Sequence, residues 1–313
     1  MIKTRILQGK KVAEAIKSDI SEDIRKLQKN GLTPGLAAIL VGENPASKVY
    51  VSSKTRTCQE LKMHSKTFKL SSKTTTEELL QVIDQLNNTD EIDGILVQLP
   101  LPDHIDEKTV LQSVRPDKDV DGFHPENVGK LCSGEIGLAP CTPLGIIDLL
   151  KREDIPIKGA ETVVVGRSNI VGKPIALLLL HNHATVTLCH SKTRDLSVVC
   201  RRADILVAAI GRPAFITREF IKEGAVIIDV GINRVETVEE GIRLFGERSE
   251  RIERIKKRGS TLVGDVHPRD PLGVASAVTP VPGGVGLLTI AQLMRNTVHA
   301  CLMRRAKKLL TNG

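Results

Sequence analysis

The stretch ETVVVGRSNIVGKPIALLLLHNHATVTLCHSKT, residues 161–193, holds two short apolar runs separated by a glycine turn and a leucine-rich segment. ETVVVG (161–166) and ATVTLCH (184–190) are rich in Val, Thr and Leu, as expected of strands covered by helices on both faces. Gly166 and Gly172 bracket the turn, and Lys173 to His181 reads as a helix. Strand, helix and strand in that order predict a βαβ unit, and so a parallel sheet. A glycine turn between strand and helix lets backbone N–H groups meet a pyrophosphate at the positive helix end. The two glycines lie six residues apart with no glycine between them, a departure from G-x-G-x-x-G, so a tight turn without ligand stays open as an alternative.

The same alternation extends outward in both directions. LAAILVG (36–42), GILVQLP (94–100), ADILVAAIG (203–211) and AVIIDVG (225–231) are further strand-like runs between helical stretches. They predict an α/β protein with two open parallel sheets. At 313 residues the chain is long enough for two lobes. A helix is expected from Pro45, capped by Asn44, through Lys54 to about Met63, and a second over 75–87, where Glu77 and Glu78 suit its positive end. PDKDVDGFHPENVGKLCSGE (116–135) reads as turns closing the first lobe, with the boundary near Pro140 to Pro143. GVGLLTIAQLMRNTVHACLMRRAKKLL (284–310) reads as a long terminal helix. The charged stretch 234–260, RVETVEEGIRLFGERSERIERIKKRGS, permits a short amphipathic helix.

Bulk composition narrows the function classes. A formal charge of +8 favours nucleic acid, an anionic membrane or small polyanions. Trp is absent and Tyr occurs once, so the aromatic supply that base-stacking surfaces use is missing, and small phosphate- or carboxylate-rich ligands are expected in place of nucleic acid. No apolar run has membrane-spanning length, and the charged opening MIKTRILQGKKVAEAI does not fit a secretory signal, so a cytoplasmic protein without membrane contact is expected. The six cysteines form no CxxC pair and read as reduced packing thiols, with neither a disulfide framework nor a metal site.

Candidate functional residues fall in both lobes. At the end of the ATVTLCH run (184–190), where an NAD site would present an acid to the ribose, the chain offers Cys189, His190, Ser191, Lys192 and Thr193 and no acid. Ser191, Lys192 and Thr193 suit a 2′-phosphate, and Arg167 can add a charged fork, which favours NADP over NAD. Solvated surface charge is the alternative reading of Arg167 and Lys192. In the first lobe, Tyr50 and Lys54 share a helix face at i and i+4. Gln98 ends an apolar strand, where open α/β sheets place ligand contacts, and its amide needs partners. Asp119 and Asp121 follow Pro116, where aspartates most often stabilise turns. VTPVPGGVG (278–286) allows close backbone approach to a ligand or serves as a hinge.

Taken together, VGENPASKVYVSSK, DGILVQLPLP, RPDKDVDGFHPENVGKL, PCTPLGI, VVVGRSNIVGKP, TVTLCHSKT, EGAVIIDVGIN and TPVPGGVGLLT resemble the bifunctional methylenetetrahydrofolate dehydrogenase/methenyltetrahydrofolate cyclohydrolase family, the FolD type, over nearly the whole chain. The resemblance implies a three-layer α/β catalytic domain over 1–143, joined by a C-terminal helix over 283–313, and a Rossmann-like NADP-binding domain over 144–282, with a cleft between them. It implies tetrahydrofolate derivatives as substrates and a homodimer. By the same resemblance Tyr50 stacks on the folate, Lys54 is the catalytic lysine, Gln98 hydrogen-bonds it and Asp121 anchors the pterin. Val97, Leu99, Pro100, Pro282, Gly283 and Gly284 then join the substrate site. Gly166, Arg167, Ser168, Ile170, Val171, Gly172, Pro174, His190, Ser191, Lys192, Thr193, Gly211, Gly231 and Ile232 join the cofactor site. Compact members of the family pass from GINR to VGDV through a short turn, so residues 234–260 are a departure without an assigned role.

The implied reaction is oxidation of methylenetetrahydrofolate followed by hydrolysis to 10-formyltetrahydrofolate. The competing readings are an NADP dehydrogenase for another substrate on a similar two-lobe plan, and a basic RNA-binding protein on an enzyme-like fold.

Overall fold

The computed structural model describes residues 2–306. The chain divides into two compact units, one of Ala13–Cys141 with the chain from Thr289 onward, the other of the residues up to Val12 with Thr142–Leu288.

The chain opens with β1 (Arg5–Ile6) and α1 (Gly9–Lys29), and the first unit is then built on β2 (Gly35–Val41), β3 (His64–Leu70) and β4 (Gly94–Val97). These strands are parallel, in the order β3-β2-β4, with α2 (Pro45–Glu60) and α3 (Thr76–Asn87) as crossovers. Every residue of β2 is buried. Ala37, Ile39 and Val41 pack with Leu79, Ile83 and Leu86 of α3 on one face, and alternation sends the equally buried Leu36, Ala38 and Leu40 to the other. Asn44 Oδ1 accepts from Ser47 N at 3.1 Å and starts α2 as expected. Thr75 and Glu78 form a reciprocal capping box at α3.

Two elements depart from the sequence reading. β3, HSKTFKL, is an edge strand whose Lys66 and Lys69 keep it from reading as apolar. The stretch expected to be turns contains a helix. After α4 (Glu107–Ser113) comes α5 (Pro125–Ser133), started by His124 Nδ1 accepting from Glu126 N at 3.1 Å, and stopped by Gly134 at φ 77°. Before α5, a parallel bridge between Ile95 and Asp119 lays the Asp119–Asp121 segment alongside β4.

The second unit starts with α6 (Cys141–Arg152) and continues through β5 (Glu161–Val165), α7 (Gly172–His181), β6 (Thr185–Cys189), α8 (Leu196–Cys200), β7 (Ile205–Ala208) and β8 (Val226–Asp229). With β11 (Ala277–Val278) and the N-terminal β1 they form a six-stranded sheet in the order β1-β11-β8-β7-β5-β6, parallel throughout. β6 lies on one side of β5 and β7 on the other, so the chain changes direction at β5/β7, and the carboxyl ends of those strands form a topological switch point.

Residues 234–260 hold two helices where one was expected. β9 (Asn233–Val235) and β10 (Thr261–Val263) pair antiparallel and enclose α9 (Val238–Phe245) and α10 (Glu250–Arg258). Val235, Leu244, Ile252, Ile255 and Val263 give this excursion a core of its own. The terminal helix α11 (Val285–Cys301) ends in a π-helical turn, Leu302–Ala306, and the expected continuation to 310 lies outside the described residues.

From Thr289 onward α11 belongs with the first unit, as a returning terminal helix should. Asn296 Nδ2 donates to the carbonyls of Val120 and Ala139, both at 2.8 Å, and Arg304 Nη1 donates to the fully buried Asp93 at 2.9 Å. No helix among the described residues is long and apolar enough to cross a membrane.

Candidate active site

The carboxyl edge of the three-stranded sheet collects Lys54, Gln98 and Asp121. Gln98 is the first residue beyond β4, and its N–H continues the ladder to Ile39 O at 2.9 Å. Its Nε2 donates to Leu99 O at 2.7 Å, which turns the amide oxygen toward Lys54, and Lys54 Nζ donates to that oxygen at 3.0 Å. Val97 is buried beneath, Leu99 is half-buried and Pro100, joined to Leu99 by a cis peptide, is exposed.

Burial lowers the pKa of Lys54, against the opposing pull of Asp121. Burial raises Asp121 to about 6, and Lys54 limits that rise while Asp119 adds to it. A base whose proton is loosened beside an acid whose proton is tightened is the arrangement expected of acid–base chemistry near neutral pH. Tyr50, one helical turn before Lys54, is half-buried, and burial raises its phenol.

The neighbours are structural. Asp119 Oδ2 accepts from His124 N at 2.8 Å and Asn127 Nδ2 at 2.9 Å, so this aspartate does what turn aspartates usually do. Lys118 is fully buried, its ammonium donating to Leu86 O at 2.8 Å and Thr89 O at 2.7 Å, with burial lowering its pKa to about 8. Cys141 adjoins the site, but burial and Asp121 hold its thiol protonated.

At the carboxyl edge of the six-stranded sheet, the expected cofactor residues follow successive strands: Gly166–Gly172 after β5, His190–Thr193 after β6, Gly211 after β7, and Gly231 with Ile232 after β8. Gly166 has φ +122°, and a Cβ there would lie 1.9 Å from Ala209 O. One at Gly172 would lie 2.0 Å from Gly166 O. Chain packing at the switch point therefore already demands both glycines. Ser168 Oγ accepts from Val171 N and Gly172 N, each at 3.2 Å, within the turn that leads into α7. Arg167, Ser168, Ile170, Ser191 and Lys192 are exposed, Val171 is half-buried and Pro174 is buried. Thr193 Oγ1 accepts from His190 N at 2.9 Å and closes the loop after β6.

Two buried aspartates that the sequence reading passed over shape these loops. Asp265 accepts from the N–H groups of Ile210, Gly211 and Arg212, the last two at 2.9 Å, and from Asn233 Nδ2 at 2.9 Å. Asp229, raised to about 7 by burial, accepts from Gly231 N at 3.0 Å, Asp265 N at 2.8 Å and Val266 N at 3.0 Å. The available signal was an aspartate closing the apolar run AVIID, since a buried carboxylate must find donors.

In the same unit, Pro282 and Gly283 are exposed and Gly284 is buried. Gly9 N donates to Gly283 O at 2.9 Å, and a Cβ on Gly9 would lie 1.9 Å from Gly284 O. The close backbone approach at this loop is thus to the chain's own Gly9.

The tetrahydrofolate dehydrogenase/cyclohydrolase catalytic-domain model matches residues 7–121, and the corresponding NAD(P)-binding-domain model matches residues 140–305. The chain belongs to this family. It is 53% identical over 300 residues to the bifunctional protein FolD of Koribacter versatilis, covering 96% of this chain and 97% of that one. The crystal structure of the bifunctional FolD enzyme from Campylobacter jejuni superposes with a TM-score of 0.87 at 43% identity, over 96% of this chain and 99% of that one. The Trypanosoma brucei methylenetetrahydrofolate dehydrogenase-cyclohydrolase, solved with NADP cofactor and inhibitor, has a TM-score of 0.86 at 34% identity, over 97% and 99%.

The family's nicotinamide cofactor fits the donor set present. Exposed hydroxyl, ammonium and guanidinium groups flank a glycine turn at the switch point, and residues 190–194 contain no acid to repel a 2′-phosphate.

Proposed function

We propose that this protein oxidises 5,10-methylenetetrahydrofolate to 5,10-methenyltetrahydrofolate with NADP⁺ and hydrolyses the product to 10-formyltetrahydrofolate. The observation that carries this reading, beside family membership, is the Lys54–Gln98–Asp121 cluster, a buried amine oriented by an amide next to a carboxyl with a raised pKa.

In the hydrolytic step water adds to the methenyl carbon, forming a C–O bond, and the carbon–nitrogen bond that closes the ring then breaks. On the way to the formyl group the oxygen loses both of its protons; the departing nitrogen gains one, and the other is released to solvent as the positive charge of the methenyl group is discharged. Lys54 takes the first proton from oxygen and passes it to the nitrogen. A neutral amine is needed for the first transfer, and burial raises the neutral fraction by lowering the pKa. Gln98 does not titrate; it holds the amine in place. Asp121 accepts hydrogen bonds from the pterin, and Tyr50 presents its ring to the folate, both serving the two steps alike. Val97, Leu99 and Pro100 complete that wall, and Pro282 to Gly284 add a second contact.

Arg167, Ser168, Ser191, Lys192 and Thr193 hold the 2′-phosphate. Gly166, Ile170, Val171, Gly172, Pro174, His190, Gly211, Gly231 and Ile232 line the remainder of the cofactor site. NADP⁺, when bound, supplies the hydride acceptor. The residues that hold it contribute positioning, because donor and acceptor carbons must come within about 3–3.5 Å.

In this proposal the unit of Ala13–Cys141 with the chain from Thr289 onward is the folate domain, and the unit of the residues up to Val12 with Thr142–Leu288 is the NADP domain. The protein works in the cytoplasm as a homodimer, without nucleic-acid or membrane partners. The open edge of β6, with Leu188 exposed on it and Leu180 and Val198 exposed on α7 and α8, supports association of two copies.

The test is a spectrophotometric assay of the purified protein with methylenetetrahydrofolate and NADP⁺ or NAD⁺, followed through to the 10-formyl product. Reduction of NADP⁺ with subsequent loss of the methenyl absorbance is expected. Absence of cofactor reduction would overturn the proposal.

A further inference from the structure

We propose that residues 234–260 act as a brace on the Val281–Gly284 loop, and that Arg251 is a positioning residue for the folate reaction through that loop. The inference rests on the reading of Pro282 to Gly284 as a folate contact.

Arg251 is in the first turn of α10, and its guanidinium is half-buried. Nη1 donates to Leu262 O and Nη2 to Val281 O, both at 2.6 Å. The group also stacks over the Phe245 ring at 4.6 Å, which fixes the plane of the fork. One arginine therefore ties α9, α10 and β10 to the residue immediately before Pro282.

The excursion has packing of its own against which to anchor. Its small core contains Val235, Leu244, Ile252, Ile255 and Val263. Arg269 Nη2 adds a second tie to Arg243 O at 3.1 Å.

The loop, for its part, needs holding. A cavity of about 110 Å³ adjoins it, lined by Asp229, Arg251, His267, Thr279, Pro280 and Val281, so apolar packing alone does not set its position. Gly9 N holds the loop at Gly283 O, and Arg251 holds it at Val281 O. Pro282 lies between these two fixed carbonyls with its ring exposed, as a ligand contact requires.

The test compares Arg251→Met, Arg251→Lys and Pro282→Ala in the full-length protein, with both activities and the melting temperature measured. Loss of two charge-assisted hydrogen bonds in Arg251→Met is expected to raise the folate KM of both activities about tenfold, with kcat and the NADP KM within about twofold. Arg251→Lys, whose ammonium can reach one carbonyl but not hold the fork geometry, should fall between wild type and Met. An unchanged folate KM in Arg251→Met overturns the brace, as does an equal change in folate KM, NADP KM and kcat, which would report general loss of structure. If Pro282→Ala also leaves the folate KM unchanged, the loop reading fails with it. If Pro282→Ala raises it and Arg251→Met does not, the brace alone fails.

Discussion

At the carboxyl edge of the three-stranded sheet, buried ionisable groups keep hydrogen-bonding capacity for a substrate; at the same edge of the six-stranded sheet they spend it on their own backbone. Among the described residues Lys54 has one hydrogen-bond partner, Gln98 Oε1, and it lies beside a carboxyl whose pKa burial has raised. Asp229 and Asp265 instead accept from the backbone of 210–212, 231 and 265–266. Burial of charge therefore does not by itself mark chemistry. Lys118 makes the same point inside the first unit, since it too is buried but gives its protons to two carbonyls. The first edge is equipped to move protons, and the second to hold the shape of loops whose exposed side chains are the proposed cofactor contacts.

If the six-stranded edge is architectural, removing its acceptors should show first in stability. Asp265→Ala leaves three backbone N–H groups and Asn233 short of a partner, with an expected loss of about 3 kcal/mol in urea unfolding. An unaltered midpoint would assign Asp265 some other task. Asp121→Ala should instead leave stability nearly intact and raise the folate KM of both activities about 100-fold, as expected for loss of a charge-assisted contact. A selective loss of kcat would place Asp121 in the chemistry itself.

Smaller effects discriminate within each edge. Arg167→Ala is expected to raise the NADP KM about tenfold and the NAD KM little, because the contact proposed for its guanidinium is with the 2′-phosphate alone. Equal effects on both cofactors would remove Arg167 from that role. Smallest is a pH effect. Folding raises Asp121 to about 6, so the carboxylate proposed to accept from the pterin is lost as pH falls through that value. The folate KM should rise a few-fold below about pH 6 and be level above it, and Asp121→Asn should abolish the dependence.

β2, β4, β5, β6, β7 and β8 were readable because parallel strands covered on two faces leave apolar runs. β3 was not, since an edge strand with lysines lacks such a run, and β1 and β11 were not, since two residues each are too few to make one. α5 was hidden for a different reason: its signals, His124, Pro125 and Gly134, are also turn formers, and only the cap geometry separates the two uses. In the site, i,i+4 spacing brought Tyr50 and Lys54 to one face, and strand position put Gln98 at the edge. Nothing local separates Asp119 from Asp121. The parallel bridge between Ile95 and Asp119 does, by laying Asp121 level with the end of β4. Asp229 and Asp265 could not be paired by inspection, because they meet across 36 residues of chain.

The division between the two edges is tested most directly by measuring both activities on Lys54→Met in parallel. Proton transfer of the kind assigned to Lys54 contributes about 10²–10⁴-fold, so cyclohydrolase turnover should fall by at least about 100-fold while NADP⁺ reduction and the NADP KM change by less than about tenfold. Full cyclohydrolase activity in purified, folded Lys54→Met, or equal loss of both activities, would contradict the account.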